Sequence, residues 1–249
     1  MKKISKKLIV SLSAAAILGG VLAGCGASST DNTTETTSTT ETGSTTAKQA
    51  AAVDYMVLVN KENPLPENWE ENLLITKSTN SVGYEVQTET EAYEAYLELK
   101  KDLEADGVKI DLDSAYRSVE AQQEIVKDFT EKYGEEYVKQ YVAVPGYSEH
   151  HTGLALDLYL NIDGKDVIYN EDLVQYPEVW KKIHEKLADH GFILRYLEGK
   201  ESITGFNYEP WHIRYVKDKA VAKEIMDKGI TLEEYLGKLP EGDVTPPKD

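Results

Sequence analysis

The segment from Ser148 to Asp157 (SEHHTGLALD) places two adjacent histidines a few residues before an aspartate. Alternating leucines predict a strand from Leu154 to Leu160, with Asp157 on the face opposite the leucines. Neutral imidazole and carboxylate are both good zinc ligands, so the segment indicates a metal site. The alternative is that Asp157 caps a helix or forms an ion pair inside the sheet. The pattern alone does not decide which histidine would be the ligand.

A second segment, Glu209-Pro-Trp-His212, supplies a further histidine at the start of a strand predicted from Trp211 to Val216. A single histidine in such a strand is more often a core residue than a ligand. Glu209 favours the second interpretation, because a zinc hydrolase needs a base that contacts the water and not the metal. Together the two segments contain the groups of a hydrolytic zinc site with three protein ligands. His184 and His190 lie in a helix rich in lysine and glutamate, and we expect both to be solvated.

Arg117 is a candidate for binding an anion, because it follows a predicted strand and precedes a predicted helix. An arginine at the end of a strand can hold a terminal carboxylate with two hydrogen bonds or stabilise an oxyanion. The alternative is a structural ion pair in this acidic protein. Ser118 and Gln122 are equally consistent with a helix cap and its first turn.

The N-terminal residues 1–25 have the pattern of a bacterial lipoprotein signal. Four lysines precede an apolar stretch, and Leu22-Ala-Gly-Cys25 matches the lipobox, in which the cysteine becomes acylated. A plain secretory signal or a single membrane anchor is the alternative. Residues 26–52 are rich in serine and threonine and predict a disordered linker. We expect a folded domain at residues 53–238 and a flexible tail at residues 239–249.

The composition limits the partners and the location of the protein. A formal net charge of −17 argues against nucleic acid and against attachment to an anionic surface by charge. The single cysteine excludes an intrachain disulfide. We therefore expect a monomer held by a lipid on Cys25 to the outer face of the bacterial cytoplasmic membrane.

Helical and strand patterns are mixed, which favours an α+β fold with a small antiparallel sheet flanked by helices. The run from Val57 to Asn60 is β-branched, as in a strand. From Glu91 an apolar face with helical spacing continues until Gly107 stops it. Further helices are predicted after Ser118, at about 135–142, from Pro177 to Gly191, and at 220–227 and 232–236.

Four motifs stand in the order seen in the VanY-type D-alanyl-D-alanine carboxypeptidases. They are Tyr116-Arg117-Ser118-x-x-x-Gln122, Pro145-Gly146-x-Ser148-x-His150-x-Thr152-Gly153-x-Ala155-x-Asp157, Gly191-Phe192-x-x-Arg195-Tyr196 and Glu209-x-Trp211-His212-x-Arg214-Tyr215-Val216. From about Val57 to Val216 the chain therefore resembles this family of zinc peptidases, which trim the stem peptides of peptidoglycan. The resemblance implies a Hedgehog/D-Ala-D-Ala-peptidase-like fold.

The resemblance also implies roles for individual residues and an activity. The implied roles are Zn²⁺ ligation by His150, Asp157 and His212, general base catalysis by Glu209, binding of substrate carboxylate or oxyanion by Arg117, and places near the substrate for Gln122 and Ser148. The Ser-x-His spacing selects His150 over His151, where the family often has glutamine. The expected activity is removal of the C-terminal D-alanine from stem peptides. L,D-carboxypeptidase action on tetrapeptide stems, binding of wall peptide or zinc without hydrolysis, and endopeptidase cleavage of cross-bridges are the alternatives.

Overall fold

The structure of the chain, a computed structural model, describes residues 52–240, apart from the side chains of residues 139–141. The expected signal with Cys25, nearly all of the linker and most of the tail lie outside the described residues. Within residues 52–240, no helix is both long enough and apolar enough to cross a membrane.

The strands of the described part form two antiparallel sheets. In the smaller sheet β1 (Ile75–Thr79) pairs with β2 (Glu85–Glu89). The larger sheet has the order β3-β4-β7-β6. The short strand β5 pairs with the end of β4 that does not pair with β7. Its strands are β3 Lys109–Ser114, β4 Ala155–Ile162, β5 Lys165–Val167, β6 Phe192–Leu194 and β7 His212–Tyr215.

Helices flank this sheet, so the predicted α+β class with a small antiparallel sheet is confirmed. Their bounds are α1 Thr90–Ala105, α2 Val119–Tyr133, α3 Glu135–Tyr141, α4 Asn170–Leu173, α5 Pro177–Leu187, α6 Glu201–Thr204, α7 Lys219–Lys228 and α8 Leu232–Leu236. The N-cap predicted at Ser118 is also present, since its hydroxyl accepts a hydrogen bond from the Ala121 amide at 3.1 Å.

The core lies between the large sheet and helices α1 and α5. The helical face predicted for α1 is buried, and it consists of Ala92, Tyr96, Leu99 and Leu103. After α1 the chain turns at Gly107, whose φ of 76° suits a residue without a Cβ. Burial of this apolar face helps to hold the sheet, and therefore the site, in place.

The run from Val57 to Asn60 is buried but forms no strand. The carbonyls of Tyr55 and Val57 accept hydrogen bonds from the Arg214 guanidinium at 3.0 and 2.8 Å. These backbone groups are therefore satisfied by a buried side chain instead of a neighbouring strand. The β-branched composition of this run correctly indicated that it is buried. The strand that the composition also suggested is not present.

The expectation that His184 and His190 are solvated is wrong. His190 is buried, and its Nε2 lies 2.9 Å from Asp102 Oδ2. His184 is partly buried, with Nε2 2.9 Å from the Pro210 carbonyl oxygen. His184 follows Trp180 by four positions, and His190 follows Leu187 by three. Because residues at these spacings lie on the same side of a helix, both histidines fall on the inner side of α5.

Candidate active site

The register of the large sheet brings the predicted metal ligands together. β4 pairs with β7 so that Asp157 lies opposite His212, and His150 comes from the 3₁₀ turn Glu149–Thr152 just before β4. One ligand atom from each of the three residues lies within 4.8 Å of the others. Asp157 is central, with Oδ2 3.2 Å from His150 Nε2 and Oδ1 3.0 Å from His212 Nδ1.

The orientation of His150 is set by a backbone carbonyl. Its Nδ1 lies 2.7 Å from the Ala115 oxygen. A carbonyl can only accept, so Nδ1 carries the hydrogen and Nε2 presents its lone pair towards Asp157.

The orientation of His212 is set by a buried carboxylate. Its Nε2 lies 3.0 Å from Glu149 Oε2, and the other oxygen of Glu149 accepts from Arg195 and Arg214, each at 2.7 Å. Burial opposes the charge of Glu149, but the two guanidinium groups hold its pKa well below the usual range. An ionised Glu149 accepts the Nε2 hydrogen, which leaves the Nδ1 lone pair of His212 facing Asp157.

The donor set fits a divalent zinc ion. Among the described residues, Asp157 Oδ1 is buried without a hydrogen-bond partner, even though His212 Nδ1 is only 3.0 Å away. In the neutral tautomers above, two imidazole lone pairs and a carboxylate converge, and a cation is needed to make that arrangement favourable. Without a metal, a proton on His212 would supply the positive charge beside Asp157. Burial lowers the pKa of His212, but Asp157 and Glu149 outweigh it and raise this pKa to about 10.

Glu209 lies beside this group, with Oε2 3.8 Å from His212 Nδ1 and 28% of its side chain exposed. Burial raises its pKa to about 7, although the neighbouring His212 lowers it. The backbone at Glu209 and Pro210 is held by two contacts. The Glu209 amide donates to the Tyr196 carbonyl at 3.2 Å, and His184 Nε2 contacts the Pro210 carbonyl.

Arg117 is buried, which lowers the pKa of its guanidinium, and the nearby charge of Asp157 opposes that shift. Its Nη1 donates to Gln122 Oε1 at 3.0 Å, and its Nη2 donates to Ser114 Oγ at 3.1 Å. The side-chain nitrogen of Gln122 donates to the Ala143 carbonyl at 2.8 Å. The contact that joins Gln122 to the site is therefore its hydrogen bond with Arg117. Ser148 is 4% exposed and stands at the N-terminus of the turn that carries His150.

Sequence reasoning missed the buried charges behind His212. Arg195 bridges Glu149 and Glu233, and its Nη1 and Nη2 contact the two oxygens of Glu233 at 2.9 and 2.7 Å. Glu149 is adjacent to His150 in the sequence, yet a glutamate in a chain with 44 acidic residues gives no signal by itself. The available clue was an arginine in each of two apolar strand segments, Arg195 directly after β6 and Arg214 within β7, because a buried arginine needs a carboxylate partner.

Comparison with known proteins agrees with this fold. The VanY family, described as D-alanyl-D-alanine carboxypeptidase, matches residues 85–218. The putative carboxypeptidase YodJ of Bacillus subtilis is 38% identical over 188 residues, which cover 74% of this chain and 67% of YodJ. An α+β fold in which His150, Asp157 and His212 converge is thus accompanied by sequence similarity over most of the folded part. The chain belongs to the VanY family.

Two solved structures extend the comparison. A mutant of the vancomycin resistance D,D-pentapeptidase VanY, solved in complex with Zn(II), is 34% identical, with a TM-score of 0.59 over 73% of this chain and 98% of that one. The LD-carboxypeptidase LdcB is 36% identical, with a TM-score of 0.65 over 75% of this chain and 87% of that one. The solved relatives therefore include both D,D- and L,D-peptidases.

Proposed function

We propose that this protein is a zinc-dependent carboxypeptidase that removes the C-terminal D-alanine from peptidoglycan stem peptides outside the cytoplasm. The observation that carries the proposal is the convergence of His150, Asp157 and His212 with Glu209 beside them. Membership in the VanY family supports the substrate class. In this proposal the three converging residues hold the zinc ion.

The chemistry that zinc supplies when bound is acidification of a water molecule and polarisation of the scissile carbonyl. Glu209 accepts the proton that the attacking water loses and returns it to the nitrogen of the leaving D-alanine. A carboxylate that lies beside the ligands without being one of them is placed for both steps. Contacts of the Glu209 amide and the Pro210 carbonyl hold the backbone from which this base extends.

Arg117 supplies the positive charge for the substrate in the proposed mechanism. Its guanidinium binds the terminal carboxylate of the stem peptide or the oxyanion of the tetrahedral intermediate. Gln122 and Ser114 hold the guanidinium on one side, and donors that they do not use remain for an anion. Ser148 precedes the turn that carries His150, which places it near the substrate in this proposal.

We expect the purified protein to release D-alanine from a pentapeptide stem, to lose this activity with a chelator, and to regain it when zinc is added back. Removal of the metal leaves Glu209 without an acidified water, so the loss should be nearly complete. Mass spectrometry of the peptide products is the measurement. Activity that persists after metal content has fallen to zero would contradict the proposal.

L,D-carboxypeptidase activity is the second candidate, and the similarity to LdcB favours it. The same zinc and the same base would then act on a tetrapeptide stem. The product assay separates the two, because D,D action converts a pentapeptide into a tetrapeptide and L,D action converts a tetrapeptide into a tripeptide. A protein that binds either peptide with zinc present and cleaves neither would be a binding lipoprotein.

We also propose that Cys25 is acylated and tethers the domain to the outer face of the cytoplasmic membrane through a flexible linker at residues 26–52. The lipobox pattern and the cell-wall substrate support this location. Full-length protein expressed in a bacterium should incorporate a labelled fatty acid and sediment with membranes. The Cys25→Ser variant should do neither, and labelling of that variant would contradict the assignment.

A further inference from the structure

His151 is fully buried next to the proposed ligand His150, and both of its ring nitrogens are used. Its Nδ1 lies 2.6 Å from the Arg117 carbonyl oxygen, and its Nε2 lies 3.0 Å from the Gly146 nitrogen. A carbonyl only accepts and an amide N–H only donates. The imidazole is therefore neutral, with its hydrogen on Nδ1 and an acceptor at Nε2.

These contacts attach the Arg117 segment to the turn that carries the proposed metal ligand. The Ala115 carbonyl accepts from His150 Nδ1, the Arg117 amide donates to the His150 carbonyl at 3.1 Å, and the Arg117 carbonyl accepts from His151. The backbone of Arg117 is thus held on both sides by residues 150 and 151. This backbone can shift relative to the proposed metal ligands only if these bonds break, and the guanidinium is held in addition by Gln122 and Ser114.

His151 also fixes the loop at residues 143–148. Its second bond reaches Gly146, and Gln122 joins the Arg117 side chain to the Ala143 carbonyl in the same loop. The loop is therefore tied to Arg117 at two points, once through the Arg117 carbonyl and once through its guanidinium. Within this loop Val144 is 62% exposed, so the loop presents an apolar side chain to solvent.

We propose that His151 is a positioning residue that aligns Arg117 and the 143–148 loop with the proposed metal centre, so that substrate carboxylate and scissile carbonyl are held at the same time. The inference rests on the proposed function. It assigns His151 an effect on substrate alignment and none on metal ligation, since neither ring nitrogen faces Asp157.

The test compares His151→Leu with His151→Gln in the zinc-loaded protein. Glutamine can reproduce both bonds, because its amide nitrogen donates to the Arg117 carbonyl and its oxygen accepts from Gly146. Leucine has a similar size and forms neither. We expect leucine to raise KM for the stem peptide by about tenfold or more and glutamine to stay within about threefold of the original protein. Zinc affinity, measured by competition with a chelating dye, should change by less than about threefold in both.

A second readout does not depend on turnover. Hydrogen exchange of the Gly146 amide should accelerate in His151→Leu and remain protected in His151→Gln. His151→Asn, which keeps only the donor to Arg117, should give an intermediate KM and serves if the leucine variant does not fold. Equal KM values for leucine and glutamine, or a KM increase that follows zinc loss, would overturn the inference. If the unaltered protein cleaves no stem peptide, the proposed function fails, while the exchange result still decides whether His151 holds the loop.

Discussion

Replacing Glu209 by glutamine is expected to lower kcat by about 10²–10⁴-fold while the metal remains bound. Glutamine has the shape of glutamate, but its amide oxygen is not basic and cannot accept the proton of the attacking water. The Oε2 atom of Glu209 is 3.8 Å from His212 Nδ1, while Asp157 approaches the same nitrogen to 3.0 Å. The substitution should therefore remove the base and leave the three proposed ligands in place.

The measurement is steady-state hydrolysis of the stem peptide, with zinc content determined on the same sample. Glu198→Gln is the matched control, because it makes the same chemical change at an exposed position a few residues earlier in the chain. Its kcat should equal that of the original protein. Residual activity of Glu209→Gln within about tenfold of the control would refute the role of Glu209 as base.

The second large effect is on stability. Glu149→Gln should reduce the free energy of unfolding by about 3–5 kcal/mol, because it leaves Arg195 and Arg214 buried without a full negative charge between them. The amide nitrogen of glutamine would also face donors that need an acceptor. Since His212 loses the carboxylate that orients it, zinc affinity should fall by about 10–100-fold as well.

Urea unfolding of the zinc-free protein measures the stability effect, with Glu104→Gln at an exposed position of α1 as the control. The pH dependence has a defined sign. In the folded protein the pKa of Glu149 lies below its ordinary value of 4.5. The contribution of this carboxylate to the free energy of unfolding is therefore present above pH 4.5 and is lost as the pH falls towards the pKa in the folded state. An unfolding free energy of Glu149→Gln equal to that of the control would show that the buried charges are balanced in another way.

Local patterns predicted those parts of the fold in which the sequence neighbours decide the structure. The α1 face at Ala92, Tyr96 and Leu99 follows from spacing alone, as does the Ser118 cap. Local patterns gave a wrong prediction where a side chain from a distant part of the sequence forms the hydrogen bonds. The run from Val57 to Asn60 is buried without being a strand, because Arg214 satisfies its neighbouring carbonyls.

The sequence by itself determined the fold class, the family resemblance and the types of residue at the site, since these depend on periodicity and on short motifs. Only the tertiary structure decided that Asp157 lies opposite His212, that Glu149 orients His212 from behind, and that His151 joins Arg117 to Gly146. All of these contacts except the one between His151 and Gly146 connect residues far apart in the chain. They arise from strand register and from the need to pair buried charges and amides. No local pattern encodes such pairings, because they form only when the sheet and the core bring the segments together.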